Sequence, residues 1–376
     1  MQDPLQINVI RKTFIKSRVV SILAQAMEEC GFYQVDVPLL YPLEDLLRAK
    51  DEWLLRSAYK VIDGAGEIAV LRPDFTAAVS RIASCELRFV PRPLGLWYQG
   101  EIYRRSSGRF QPTAAFQAAF QVGAEIFGVS GVRAETDCIE IMWRGLKALG
   151  FSDFRISVGH AGIFREWCRA VERDGHTGQR VREALANRDL VAAREAAASL
   201  CAQERDLLFE FLRLRGGSEV IDAARGVKAK AKALGIDLEP YLDVFAEILG
   251  RLESKGISDK VVFDLGLLRN LQYYSGTVFE AYVPGIGVPV AGGGRYSVAP
   301  DYADAAEPAI GFAFWVDPLV LAIDAAEVGF FKAKNELPQG EQVSPDVSKD
   351  SNQKVEFSRK SCLGFLRRPH TVSGIH

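Results

Sequence analysis

Late in the chain the sequence reads Leu268-Arg269-Asn270-Leu271-Gln272-Tyr273-Tyr274-Ser275-Gly276-Thr277-Val278-Phe279-Glu280. From Thr277 the residues are β-branched or aromatic and suit a pleated, half-buried surface, which predicts a strand over 277–283. Arg269, Tyr273 and Tyr274 stand just before it. A guanidinium fork fits a carboxylate, and adjacent tyrosines can close over a small polar ligand. Taken alone, the segment reads equally well as core tyrosines beside a surface arginine. Ala291-Gly292-Gly293-Gly294-Arg295-Tyr296 comes next. Three successive glycines let a backbone or a ligand approach closely, and a plain tight turn would use them as readily.

Two earlier segments also concentrate unusual residues. Leu71-Arg72-Pro73-Asp74-Phe75-Thr76 marks a strand passing into a helix, so Asp74 and Thr76 sit where N–H groups lack partners. A simple helix cap accounts for them too. Gly100-Glu101-Ile102-Tyr103-Arg104-Arg105 leads through Gly108-Arg109 to Phe116-Gln117 and Gln121-Val122-Gly123-Ala124-Glu125. Glu101, Gln121 and Glu125 fall on predicted strands, with Arg104 close by. Such groups are costly in a sheet unless paired, turned to a ligand or left on a solvated face.

Apolar periodicity supplies the frame. Ile15, Val19, Ile22, Leu23, Ala26 and Met27 predict a helix over 8–30 that stops at Gly31. Strands are expected at 33–40, 94–104, 116–127, 260–265, 288–291 and 309–314, with a hairpin 59–62/68–71 over Asp63-Gly64-Ala65-Gly66. A helix is expected over 74–85 and another runs to about 326. Residues 160–255 are helical in pattern, with Leu242, Phe245, Leu249 and Leu252 on one face, and 328–376 are polar and aperiodic. Strands broken by helices without a βαβ rhythm predict an α+β fold: an antiparallel sheet flanked by helices, with a helical insertion.

Bulk chemistry narrows the function. The 376 residues carry a net charge of −2, which gives no sign of a dedicated nucleic-acid binder. Cys30, Cys85, Cys138, Cys168, Cys201 and Cys362 are scattered, as buried thiols of a reducing compartment would be. No apolar run has membrane-spanning length and no signal segment is recognisable, so a cytoplasmic protein is expected. The four histidines, His160, His176, His370 and His376, lack partner ligands in the pattern, so no metal or other cofactor is expected.

In order and spacing, these segments resemble the catalytic domain of histidyl-tRNA synthetases, a class II fold, over about residues 8–326. Tyr273-Tyr274-x-x-Thr277-Val278-Phe279-Glu280 and Gly293-Gly294-Arg295-Tyr296 are the most specific matches; Gly100-x-x-Tyr103-Arg104 is similar to motif 2, and Pro308–Ala313 leads into motif 3. The first helix with Pro38 looks like motif 1, which implies a homodimer core. The resemblance implies a core of residues 1–159 and 256–327, an insertion at 160–255 and a C-terminal tail at 328–376. It also implies a histidine pocket of Asp74, Thr76, Arg104, Gln121, Glu125, Arg269, Tyr273 and Tyr274, with Glu125 and Gln121 at the two polar ends of the amino acid.

The nucleotide half departs from that family. Tyr103-Arg104-Arg105-Ser106 replaces Phe-Arg-x-Glu, Trp315-Val316-Asp317-Pro318 replaces Gly-x-x-Arg, and Gln272 stands for an aspartate. Losing one charge-assisted hydrogen bond costs about 1.5–3 kcal/mol, before any steric block by Trp315. The residues after Ala326 are too few and too polar for an anticodon-binding domain, so tRNA is not an expected partner. The combination resembles the regulatory subunits of ATP phosphoribosyltransferase. That resemblance implies a non-catalytic chain that joins a short-form catalytic subunit in a hetero-oligomer for the first step of histidine biosynthesis, with L-histidine as the feedback effector. A compact enzyme that activates histidine with ATP, and a paralogue with a dead pocket, are the alternatives.

Overall fold

The computed structural model describes residues 4–48, 52–105, 117–172, 176–186, 189–267, 273–298 and 306–326. Helix α1 (Pro4–Glu29) is followed by the short strands β1 (Tyr33–Gln34) and β2 (Leu40–Pro42). Next come helices α2 (Leu43–Arg48) and α3 (Glu52–Ser57) and the hairpin β3 (Lys60–Ile62) with β4 (Ile68–Leu71). Helix α4 (Thr76–Arg81) runs into a π-helical turn, Ile82–Glu86, before β5 (Leu94–Arg104), β6 (Gln117–Phe127), α5 (Val132–Ala148) and β7 (Arg155–His160). Then come α6 (Ala161–Val171), α7 (Thr177–Ala186), α8 (Leu190–Ala196), α9 (Ala202–Phe211), the two-residue β8 (Arg215–Gly216), α10 (Glu219–Gly226), α11 (Lys228–Ala233) and α12 (Glu239–Ser254). The chain returns to strands in β9 (Val261–Asp264), β10 (Tyr274–Tyr282), β11 (Ala291–Val298) and β12 (Glu307–Trp315), and α13 (Val316–Ala326) closes it.

The large sheet has the order β1-β5-β6-β12-β11-β10-β7-β9-β8. Its pairs are antiparallel except β1/β5 and β7/β9, so the chain is an α+β protein built on a mainly antiparallel sheet. One face carries Val122, Ala124, Ile126, Ile310, Phe312, Phe314, Phe279 and Ala281, buried against Val19 and Leu23 of α1 and Ile139 and Met142 of α5. Full burial of each large side chain contributes about 1.5–3 kcal/mol, so this face contributes strongly to stability. The opposite face holds a smaller core, in which Phe75, Val79 and Ala83 pack on Leu96, Tyr98, Tyr296 and Ala309.

Local chemistry explains where the elements start and stop. Pro4 begins α1, as suits a residue without an N–H in the first turn. At its end Gly31 adopts φ 87°, and the Phe32 N–H bonds back to Met27 O at 3.2 Å. The strand expected over 33–40 shrinks to β1 and the first residue of β2. Pro38 cannot donate to a ladder, and the carbonyls of Val37 and Pro38 accept instead from the Arg72 guanidinium. The strand expected at 288–291 begins only at Ala291. The triple glycine is not a turn but the body of β11, paired on both sides. A Cβ on Gly294 would lie 2.6 Å from Thr277 O, which explains why the strand is bare there.

Neither α5 nor β7 was legible in the sequence. The buried side of α5 mixes Cys138, Ile139 and Met142 with Glu135, Asp137 and Glu140, which blurs the apolar stripe. Those acids are paired. Arg295 of β11 donates to both Glu135 oxygens at 2.5 and 2.8 Å and to Val129 O at 2.7 Å, pinning β11 to the start of α5. Lys255 reaches Asp137 at 3.4 Å and also Glu140. Breaking a buried pair by removing one partner strands the other charge. We therefore expect Glu135→Ala to cost about 3–5 kcal/mol, read as a lower urea midpoint at unchanged slope.

The cysteine expectation needs correction. The described cysteines are free thiols, but only Cys30 and Cys138 are buried; Cys168 is half-buried, and Cys85 and Cys201 are exposed. Among the described residues no helix is long and apolar enough to cross a membrane.

Candidate functional site

The register of the sheet gathers the polar residues of four strands on one face. Along β6, Gln121, Gly123 and Glu125 point the same way, because alternate residues share a face. Across β12 they stand opposite Trp315, Ala313 and Gly311, and across β5 opposite Gly100, Tyr98 and Leu96. Gly311 in turn faces Gly294 of β11. The floor around Glu125 is thus lined with glycine, and it has to be. A Cβ on Gly123 would meet the Tyr98 hydroxyl at 2.6 Å, and one on Gly311 would overlap Glu125 Oε2.

Glu125 is the centre. It is 2% exposed and accepts from Thr76 Oγ1 at 2.9 Å, Tyr98 Oη at 3.4 Å and Tyr296 Oη at 2.9 Å. The Tyr296 hydroxyl in turn lies 3.4 Å from Ser80 Oγ. Three neutral donors satisfy the carboxyl group without supplying a positive charge. Burial therefore pushes Glu125 up to about 8, against the pull of the hydrogen bonds from Thr76 and Tyr296 and aided by the charge on Asp74. A buried acid with neutral partners is poised to take up a cationic group.

Tyr273 lies beside it, stacked on Tyr296 with ring centroids 5.0 Å apart and edge-on to Tyr274 at 5.1 Å. Its hydroxyl is buried and has no hydrogen-bond partner among the described residues. Burial holds that phenol well above its usual range, with Tyr296 and Glu125 adding to the effect. Buried polar atoms are rarely left unsatisfied, so an orphaned hydroxyl next to a buried acid marks a place where a ligand can bind.

Asp74 closes the rim. Its Oδ1 accepts from the Thr76 N–H at 2.6 Å, and its Oδ2 accepts from Arg104 at 2.9 Å; Arg104 also donates to Pro73 O. Arg104 is thus turned to a neighbouring acid and carbonyl. A column of Arg72 over Phe75 (4.1 Å) and Phe75 on Tyr98 (4.3 Å, 10° between planes) fixes the wall from which Thr76 reaches Glu125. Arg72 also donates to Glu101 O at 2.9 and 3.0 Å, which ties this wall to β5.

Of the residues expected in a pocket, Asp74, Thr76, Glu125 and Tyr273 converge, with Arg104 at the rim and Tyr274 against Tyr273. Gln121 is 3% exposed on the same face, four residues and about 13 Å of strand from Glu125, opposite Gly100 and Trp315. Arg269 lies outside the described residues. Sequence reasoning did not single out Tyr98, Tyr296 and Ser80. Tyr296 had a signal, since it ends the Gly-Gly-Arg-Tyr string; Tyr98 and Ser80 had none beyond being polar in apolar segments. His160 is structural: its Nδ1 accepts from the Gly162 N–H at 3.0 Å at the start of α6, and burial pushes it down to about 4.

Where the synthetase resemblance implies a nucleotide side, Trp315 is half-buried at the register of Gln121, so its indole shares the face with the amide. Two residues on, Asp317 accepts from the Phe120 N–H at 2.9 Å and lies 3.8 Å from Lys16. Pro318 occupies the next position, in the first turn of α13. The start of this helix therefore presents a carboxylate and a proline, a poor place for a triphosphate.

Known proteins share this chain's sequence pattern and fold. The family described as histidyl-tRNA synthetase matches residues 13–319. A protein of Desulforamulus reducens called ATP phosphoribosyltransferase regulatory subunit is 30% identical over 301 residues, 79% of this chain and 72% of that protein. A solved structure from Bacillus halodurans, described as an ATP phosphoribosyltransferase regulatory subunit/histidyl-tRNA synthetase, superposes with a TM-score of 0.72 at 30% identity, covering 83% of this chain and 80% of that one. A Nostoc histidyl-tRNA synthetase shares the fold alone, at 15% identity and a TM-score of 0.69, over 84% of this chain and 73% of its own. The chain belongs to the family of ATP phosphoribosyltransferase regulatory subunits, built on the histidyl-tRNA synthetase catalytic fold.

Proposed function

We propose that this chain is the non-catalytic, histidine-sensing subunit of an ATP phosphoribosyltransferase, acting with a short catalytic subunit in the first step of histidine biosynthesis. The observation that carries the reading is the buried Glu125 carboxyl group, ringed by the hydroxyls of Thr76, Tyr98 and Tyr296 and flanked by the orphaned Tyr273 hydroxyl. L-Histidine brings one cationic and one anionic group and an imidazole with both a donor and an acceptor. Glu125 takes a cationic or N–H-bearing end, Tyr273 gains the partner it lacks, Gln121 meets the other polar end, and Arg269 takes the carboxylate. Asp74 and Arg104 hold the rim, and Tyr274 braces Tyr273.

Feedback requires that histidine bind the inhibited assembly more tightly than the active one, a coupling typically worth about 1–3 kcal/mol. The chain forms a homodimer core through α1 and the segment that follows it, and tRNA is not a partner. Its own adenylation activity is lost: Trp315 and Pro318 stand where the synthetases carry a glycine and a phosphate-gripping arginine, and Arg104 is engaged by Asp74.

Two measurements test this. Mixed with a short-form catalytic subunit, the chain should co-purify and confer phosphoribosyl transfer that histidine inhibits. Alone, with histidine and ATP, it should give no pyrophosphate exchange. Robust exchange would establish the adenylating enzyme instead, and failure to bind either histidine or the catalytic subunit would leave a paralogue with a dead pocket.

A further inference from the structure

A second cavity, of 520 Å³, opens between the insertion helices and the strand pair β10–β11. Arg165 of α6 and Arg182 of α7 face Tyr273, Tyr274, Ser275 and Ser297 across it. Two guanidinium groups line this space, and among the described residues no carboxylate does. Arg165 donates to the Tyr274 carbonyl and is engaged by a further interaction besides. Arg182 is half-buried, and its guanidinium forms no hydrogen bond or ion pair among the described residues. Half-burying a guanidinium forfeits hydration that only an anion or a set of acceptors restores. Cys168, also on the wall, adds no charge, because burial pushes its thiol up to about 12. Glu172, the acid that acts on Cys168, is exposed and lies beside Gly178.

We propose that this cavity binds a small phosphate ester, with its phosphate on Arg182 and Arg165 and its organic part against Tyr273 and Tyr274. The arginines offer fork-shaped donors and charge, the Ser275 and Ser297 hydroxyls offer further donors, and the tyrosine rings suit a planar or sugar-like group. The volume exceeds what a lone phosphate fills, which favours an ester over the inorganic ion. Tyr273 lines this cavity and also stacks on Tyr296, so it shares a wall with the pocket of Glu125, while its ligand chemistry is opposite in charge.

Calorimetry on the full chain with phenyl phosphate and with inorganic phosphate tests the site. Phenyl phosphate should bind the parent more tightly than inorganic phosphate does. Arg182→Gln should weaken it about tenfold or more, the loss of a charge-assisted hydrogen bond, and Arg182→Lys should fall between. Glu125→Gln should bind phenyl phosphate as the parent does, which separates this cavity from the histidine pocket whether or not histidine binds there. Equal affinity in the parent and both Arg182 variants, no heat from phenyl phosphate, or loss of binding in Glu125→Gln would each overturn the proposal. Thermal melting of each variant confirms that the comparison is made on folded protein.

Discussion

Glu125→Gln should abolish measurable histidine binding while leaving the fold more stable than the parent at pH 8. The amide is nearly isosteric, and the hydroxyls of Thr76, Tyr98 and Tyr296 can rotate to suit it. What disappears is the negative charge that a bound cation neutralises. Removing one partner of a buried charge pair costs about 3 kcal/mol or more, a loss of roughly 150-fold in affinity.

The stability effect runs the other way. In the unfolded chain Glu125 titrates near its ordinary 4.5, whereas in the fold burial moves it to about 8. A raised carboxyl value means the fold prefers the proton. The parent is therefore unpenalised below about 4.5, loses stability as pH rises through the window to about 8, and changes no further above it. Glutamine does not titrate, so the variant's advantage should grow across that window by several kcal/mol. Denaturant melts of both proteins at several pH values, with calorimetry for histidine, provide the check. A gap that does not vary with pH, or a variant that binds histidine like the parent, would remove Glu125 from the centre of the site.

Gly311→Ala should be the most damaging small substitution in β12. A methyl group there overlaps Glu125 Oε2 and comes 2.9 Å from Ala124 O, so the carboxyl group must leave the hydroxyls that hold it. Overpacking of this kind costs about 1–3 kcal/mol, and the displaced acid adds the penalty of losing its partners. Histidine binding should be lost with it. Gly287→Ala is the control: it is exposed, nothing lies within 4 Å of its added methyl, and neither stability nor binding should change. Adding Glu125→Ala to Gly311→Ala should recover stability without recovering binding, since the clash is removed and the acid is still missing. If Gly311→Ala alone binds histidine normally, the pocket lies elsewhere on the sheet.

Much of this architecture was readable from residue types, because the forces that write it are local. The period of α1, the hairpin β3–β4 and the long pair β5–β6 follow from side-chain spacing, and the polar strings around Asp74, Gln121 and Tyr273 stand out in an otherwise apolar pattern. Their order and spacing pointed to the family, while the residues at 103–106 and 315–318 depart from the synthetase pattern. Where buried polar groups took partners from distant segments, the local signal failed. The apolar stripe of α5 is interrupted by Glu135, which pairs with Arg295, and the bareness of β11 makes sense only beside Thr277 and Gly311.

The sequence by itself determined which chemical groups the site contains: an acid on β6, a threonine before it, two tyrosines after it. Only the tertiary structure decided that they meet. Glu125 collects hydroxyls from α4, β5 and β11, and the alignment of Gly311 opposite it makes room for the carboxyl group. Those contacts depend on strand register and on burial, which many distant apolar residues settle jointly and no short segment encodes. The same burial that raises the Glu125 proton affinity is therefore a property of the folded sheet.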